Sequence, residues 1–78
     1  MFYEHREDLP IALQRNLPIE AQELYRREYN RTWEIYQYTY QKLGATSAEE
    51  VAHRKAWGKV KRQFTTNYDG TWRPRNAP

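Results

Sequence analysis

The chain has no cysteine among its 78 residues, which excludes disulfides and thiolate metal sites alike. Its two histidines, His5 and His53, lie far apart, and no His-x-x-x-His pair exists. Three glycines, spread over positions 44, 58 and 70, cannot make a phosphate-binding loop. No apolar run approaches the ~18 residues of a membrane span. The opening MFYEHRED lacks the apolar core of a signal peptide. From these absences we expect a soluble cytoplasmic protein that is not an enzyme and has no catalytic residues, metal, cofactor or membrane-inserted segment.

Aliphatic residues are sparse as well, and no Ile-Val-Leu-rich run occurs. In their place stand three Trp, seven Tyr and two Phe. Tyr and Trp bury much area while keeping a polar tip that needs water or a partner. Such residues suit a thin single domain, because a chain of this length buries only roughly 60% of its unfolded surface.

Charge is divided along the chain. Residues 1–52 hold six Lys/Arg against nine Asp/Glu, a net of −3, whereas residues 53–78 hold seven against one, a net of +6. The overall +3 therefore conceals a basic C-terminal third.

The segment from Pro18 to Leu43 reads as a long central helix, with Pro18 in its first turn and Gly44 as its stop. Ala21, Tyr25, Tyr29, Thr32, Tyr36, Tyr40 and Leu43 share one side at 3.6 residues per turn, with Trp33 at the edge. Upstream, Asp8 reads as the cap and Pro10 as the first turn of a short helix near residues 9–16, on which Leu9, Leu13 and Leu17 face one way. Downstream, Ser47-x-x-Glu50 is a capping box for a third helix over residues 48–65, with Thr46-x-x-Glu49 as the alternative frame. His53, Ala56, Trp57, Val60 and Phe64 form its apolar side. Gly58, within that helix, costs roughly 1 kcal/mol relative to Ala, either to permit a close approach or because it is merely tolerated. Asp69-Gly70 favours a tight turn. Thr71–Arg73 then reads as a short strand whose available partner is Phe2-Tyr3. Residues 74–78 read as a disordered tail after a single domain over 1–73. The expected architecture is mainly α: three helices, one short and two long, built around the long central one, with a minimal β-element joining the chain's two end segments.

Three groups of residues resemble the ChaB family, small proteins described as cation transport regulators. The first is Asp8-Leu9-Pro10 with Leu17-Pro18 and Ala21-Gln22. The second is Tyr25, Tyr29-Asn30, Trp33 and Tyr36. The third is Ala52-His53, Ala56-Trp57, Val60-Lys61 and Phe64, followed by a turn and Trp72. Together they cover about residues 3 to 73 in order. The sequence departs from the family pattern at Glu28 and Thr32, where small apolar residues are usual. It departs again at Tyr36-Gln37-Tyr38-Thr39-Tyr40, a neutral aromatic connector in place of a charged one. The resemblance implies a compact helical fold with a small β-element. It also implies a protein partner linked to calcium/proton antiport, although other ChaB-like proteins are discussed as nucleic-acid binders.

The most suggestive surface is the basic arc of the third helix, Arg54, Lys55, Lys59, Lys61 and Arg62, continued by Arg73. Such an arc suits a polyanion or an acidic partner, with Tyr68 and Trp72 nearby to stack on unpaired bases. The plain alternative is a solvated helix face, neutralised if the acidic N-terminal segment folds over it. Tyr25, Tyr29, Trp33, Tyr36, His53, Trp57, Val60 and Phe64 are the expected structural core, with Trp57 a residue whose loss costs most of the stability. His53 is expected to be buried and bonded to a Tyr hydroxyl or to Asn30. His5 with Glu4, Glu7 and Asp8 reads as a solvated acidic patch rather than a metal site. A second surface, Leu24, Ile35 and Tyr38, is either covered by the first helix or free for an interface. The expected state is a monomer or weak dimer.

Overall fold

The computed structural model describes residues 2–75. Three α-helices, α1 (Ile11–Asn16), α2 (Ile19–Tyr36) and α3 (Ala48–Gln63), are followed by two strands, β1 (Phe64–Thr66) and β2 (Trp72–Pro74). Single 3₁₀ turns at Arg6–Asp8 and Tyr40–Leu43 complete the order. Both long helices begin where local chemistry directs. Pro18 is the N-cap of α2, its carbonyl accepting from Gln22 N–H at 3.0 Å. At α3 the Ser47 hydroxyl accepts from Glu50 N–H at 3.1 Å. The return half of the box goes one residue further back, Thr46 donating its hydroxyl to the Glu50 carboxylate at 3.2 Å.

Along α2 from Tyr25 to Trp33, the partners on α3 run backwards from Trp57 to Glu49, so the two helices pack antiparallel. Between them lie Ala21, Tyr25 and Tyr29 from α2 and Ala52, Ala56 and Val60 from α3, closed by Leu9, Leu17 and Phe64. Alanines on α3 bring its backbone close, which leaves room for the tyrosine rings and little else.

Four expectations need correction. First, α2 ends at Tyr36, not Leu43. Thr39 leaves the helical region at φ −125°, ψ 8°, and Gln37 donates its side-chain amide to the Glu34 carbonyl at 3.2 Å. An 18-residue α2 is about 27 Å long and matches the 16-residue α3 laid against it. Two more turns would extend past their partner. Gly44, at φ 74°, caps the 3₁₀ turn instead.

Second, the two-stranded sheet is a C-terminal hairpin: Phe64 pairs with Pro74, Thr65 with Arg73 and Thr66 with Trp72, antiparallel. Phe2 and Tyr3 are not its partner. The Asn30 side chain accepts from Tyr3 N–H at 2.9 Å and donates to Tyr3 C=O at 2.9 Å, doing for this segment what a neighbouring strand does. Arg26 adds a bond to the same carbonyl at 3.2 Å, and the Tyr3 ring packs on Tyr29 at 4.7 Å.

Third, the ordered chain runs past residue 73. Pro74 is paired in β2, and Arg75 donates N–H to the Gln63 carbonyl at 2.8 Å and Nε–H to the Lys61 carbonyl at 2.9 Å. The rest of the expected tail, 76–78, lies outside the described residues, as does Met1. Fourth, Asp8 does not cap α1. Its carboxylate accepts from His5 N–H at 3.1 Å in the 3₁₀ turn, and Pro10 takes the N-cap position.

The core is smaller than expected. Tyr25, Tyr29, Val60 and Phe64 are buried, Trp33, Tyr36 and Trp57 are half-buried, and His53 is exposed. With alanine as the packing surface of α3, side chains at the edge of its stripe have no wall to sink into. Gln22 is buried beside the apolar set, donating to the Leu17 carbonyl at 2.8 Å and the Gln14 carbonyl at 3.2 Å, which fixes α1 on α2.

Three carboxyls are held below their usual range. Glu23 is lowered chiefly by a hydrogen bond from Arg26, Glu49 chiefly by its own backbone N–H, and Asp69 chiefly by the Thr71 hydroxyl. Each lowered pKa favours the charged form in the fold, so the unfolded chain binds more protons in acid. Their contribution is complete above the ordinary carboxylate range of about 4 and is lost as pH falls through the lower folded values. Melting temperature is therefore expected to be level near neutrality and to fall in acid, below about pH 4. A melting temperature that stays level on through that region, well below pH 4, would show that these bonds do not contribute.

Candidate functional site

Because α3 buries Ala48, Val51, Ala52, Ala56 and Val60 against α2, its polar residues are forced outward. Arg54, Lys55, Lys61 and Arg62 are exposed, and Lys59 is half-buried. The six cations singled out from the sequence do not form one track. Arg54, Lys55, Lys59 and Arg62 line a groove together with Gly58 and with Glu28 from α2. Lys61 lies on the other side of the helix ridge, in a second groove with Glu50, His53, Arg54, Trp57 and Gly58. Arg73 is apart from both, at the hairpin with Thr66, Asn67 and Tyr68.

Arg54 pairs with Glu50 at 3.1 Å one turn back, an exposed i,i+4 pair. Among the described residues, Lys55, Lys59, Lys61, Arg62 and Arg73 form no ion pair. Lys55 holds its ammonium 5.8 Å from the Tyr36 ring centre, which keeps that side chain along the groove. The acidic N-terminal segment does not cover this face. Its Glu7 pairs with Arg6, and Phe2 and Tyr3 lie against Trp33 and Tyr29 of α2.

The second groove was not legible as a surface, since His53 and Trp57 read as core. The Tyr25 hydroxyl is hydrogen-bonded to His53 Nδ1 at 2.7 Å, the phenol donating in the tautomer with its proton on Nε2 and accepting in the one with its proton on Nδ1. Burial, then the neighbouring Tyr3 and Tyr29 hydroxyls, push the Tyr25 phenol pKa well above its ordinary value, so it stays a neutral phenol. The His53 ring lies parallel to Trp57 at 6.4 Å and 10°, and Trp57 meets Trp72 edge-on at 5.2 Å. The result is a ledge of three rings running from α3 to β2. The signal was present in the spacing: His53 and Trp57 are one turn apart, at the edge of the apolar arc.

Of the second surface, Leu24 packs against the core, whereas Ile35 and Tyr38 remain 57% and 88% exposed. Among the described residues no group of three His, Cys, Asp or Glu is placed to hold a metal ion. No helix among them is long and apolar enough to cross a membrane.

The architecture defines a class: a small domain of two long antiparallel helices, a short leading helix and a C-terminal hairpin. The family model for ChaB matches residues 9–75. The protein of Escherichia coli (strain K12) named "Putative cation transport regulator ChaB" is 33% identical over 72 residues, spanning 92% of this chain and 95% of that relative. The protein of the same name from Shigella flexneri gives the same figures. A solution NMR structure of a protein so named superimposes with a TM-score of 0.77 at 31% identity, covering 95% of this chain and 99% of that one. The chain belongs to the ChaB family. Glu28 is what places a carboxylate in the basic groove.

Proposed function

We propose that this chain is a small, non-enzymatic regulatory protein of the cytoplasm that acts through contacts with a protein partner, as a monomer or weak dimer. The partner class is a cation transporter, inferred because its relatives are named "Putative cation transport regulator ChaB". The observation that carries the reading is the composite outer face of α3, where a groove of cations and a ring ledge adjoin across one helix. Mixed aromatic and cationic surfaces are what protein interfaces concentrate at their centres.

A second reading is nucleic-acid binding through the same cations, favoured because Lys55, Lys59, Lys61 and Arg62 form no ion pair among the described residues. It is weakened by Glu28 and Glu50, one in each groove, since a phosphate-tracking surface needs a stripe of one sign. Pull-down from native lysate at two salt concentrations, with and without nuclease, separates the two. A transporter retained after nuclease is the expected result. Nucleic acid released by modest salt, with no protein surviving nuclease, overturns the regulator reading.

A further inference from the structure

Gly58 has no role inside this domain that its glycine character explains. It stands in the interior of α3, where glycine weakens a helix, and only Gly44 and Gly70 among the described glycines take positive φ. A Cβ built on Gly58 meets nothing within 4 Å, so no neighbouring element requires the vacancy. Its position is nonetheless singular. With Arg54, it is common to both grooves, and so marks the bare saddle where the ring ledge passes into the basic groove.

We propose that this saddle is where a segment of the protein partner crosses α3, and that the segment is acidic and carries an apolar side chain. The inference rests on the regulator reading and specifies its partner's chemistry. Without a side chain at Gly58, a partner backbone can approach the helix closely. An apolar side chain on one flank then covers His53 and Trp57. Carboxylates on the other reach Lys55, Lys59 and Arg62, which have no ion pair among the described residues. The ledge is preorganised, because the Tyr25 hydroxyl fixes the His53 ring at 2.7 Å and Tyr25 is itself buried. A rigid anchor lowers the ordering cost of docking. Glu50, in the ledge groove, orients the segment by repelling carboxylates placed on that flank.

The test uses the full chain and a fluorescein-labelled peptide of Glu and Asp with one central Leu. The same peptide with its carboxylates replaced by amides and a single-stranded oligothymidylate serve as comparisons. The acidic peptide is expected to bind, to shift backbone amides centred on residues 54–62, and to lose roughly tenfold or more in affinity as the amide form. Gly58→Leu is expected to weaken it by a similar factor while melting no lower than the parent. Gly58→Ala, adding only a methyl group to open space, is expected to melt about 4–8 °C higher. Binding that is equal for the parent and Gly58→Leu overturns the proposal, as does oligothymidylate binding without peptide binding. So does the absence of peptide binding at low salt. If the nuclease-resistant partner is captured equally by parent and Gly58→Leu, the saddle is rejected and the regulator reading stands. If no protein survives nuclease, both fall.

Discussion

Tyr25→Ala is expected to remove at least about a quarter, and at the low end of stability all, of the free energy that holds the domain folded. Tyr25 is 2% exposed and one of the two largest fully buried side chains, the other being Val60. Its ring touches Tyr29, His53 and Trp57, with centroids at 5.8, 5.8 and 6.4 Å, so it joins both long helices. Truncating a buried aromatic to alanine typically costs about 3–5 kcal/mol. A domain of this length has about 4–12 kcal/mol in all, at ~0.05–0.15 kcal/mol per residue. Collapse around the gap is restricted, since the facing residues are largely alanines with no side chain to move in. Tyr25→Phe separates the ring from its hydroxyl. It loses the bond to His53, about 0.5–1.5 kcal/mol, toward the lower end because exposed His53 can bond water instead. Urea unfolding followed by tryptophan fluorescence measures both. A Tyr25→Ala midpoint close to the parent's would mean that the helix pair does not depend on this ring.

The second large effect is on association. Replacing Lys55, Lys59 and Arg62 by Gln removes three of the four cations of the groove shared with Glu28. None of the three forms an ion pair among the described residues, and surface changes of this kind usually stay within about ±0.5 kcal/mol of stability each. Lys55 also gives up its position 5.8 Å from the Tyr36 ring, worth about 0.5–1 kcal/mol at an exposed site. The fold should therefore survive. Association with an acidic partner should slow and lose most of its salt dependence, because the long-range attraction is gone. Were the ligand nucleic acid instead, the slope of log affinity against log salt would drop by roughly 0.7–0.9 for each phosphate no longer neutralised. Surface-binding kinetics at several salt concentrations measure these quantities. A folded triple variant that associates like the parent would exclude the groove for either ligand.

The sequence revealed helix starts better than helix ends, and faces better than depths. Pro18 and Ser47 act on their own first turns, so the information is local and readable. The end of α2 is different, because no breaker stands at residues 37–39. The helix stops there since α3 has no length left to pair with it, and that is a property of the packed chain. Strand pairing failed for a related reason. Reading the third helix on through Phe64 and Thr65 left Phe2-Tyr3 as the available partner, whereas α3 ends at Gln63, Phe64–Thr66 is the first strand, and Asn30 occupies Tyr3. His53 and Trp57 were placed on the correct side of α3 but too deep, because periodicity gives an angle and not the height of the neighbouring wall. Here that wall is built by Ala52 and Ala56. The basic arc was visible as composition, while its division around Gly58 into two grooves required knowing that Glu28 comes alongside.

The grip of Arg75 on the carbonyls of Lys61 and Gln63 also matters for how the protein is handled. These bonds close the last turn of α3 from a point beyond β2, so the C-terminal hairpin and the helix bearing Lys61 and Arg62 form one mechanical unit. Traction applied past Arg75 is borne first by this clasp and by a ladder only three residues long. Such a ladder peels one bond at a time rather than shearing as a block. Tethering the chain by that end thus loads the very face intended for binding. Anchoring through the exposed loop residue Tyr38 leaves the α3 face relaxed.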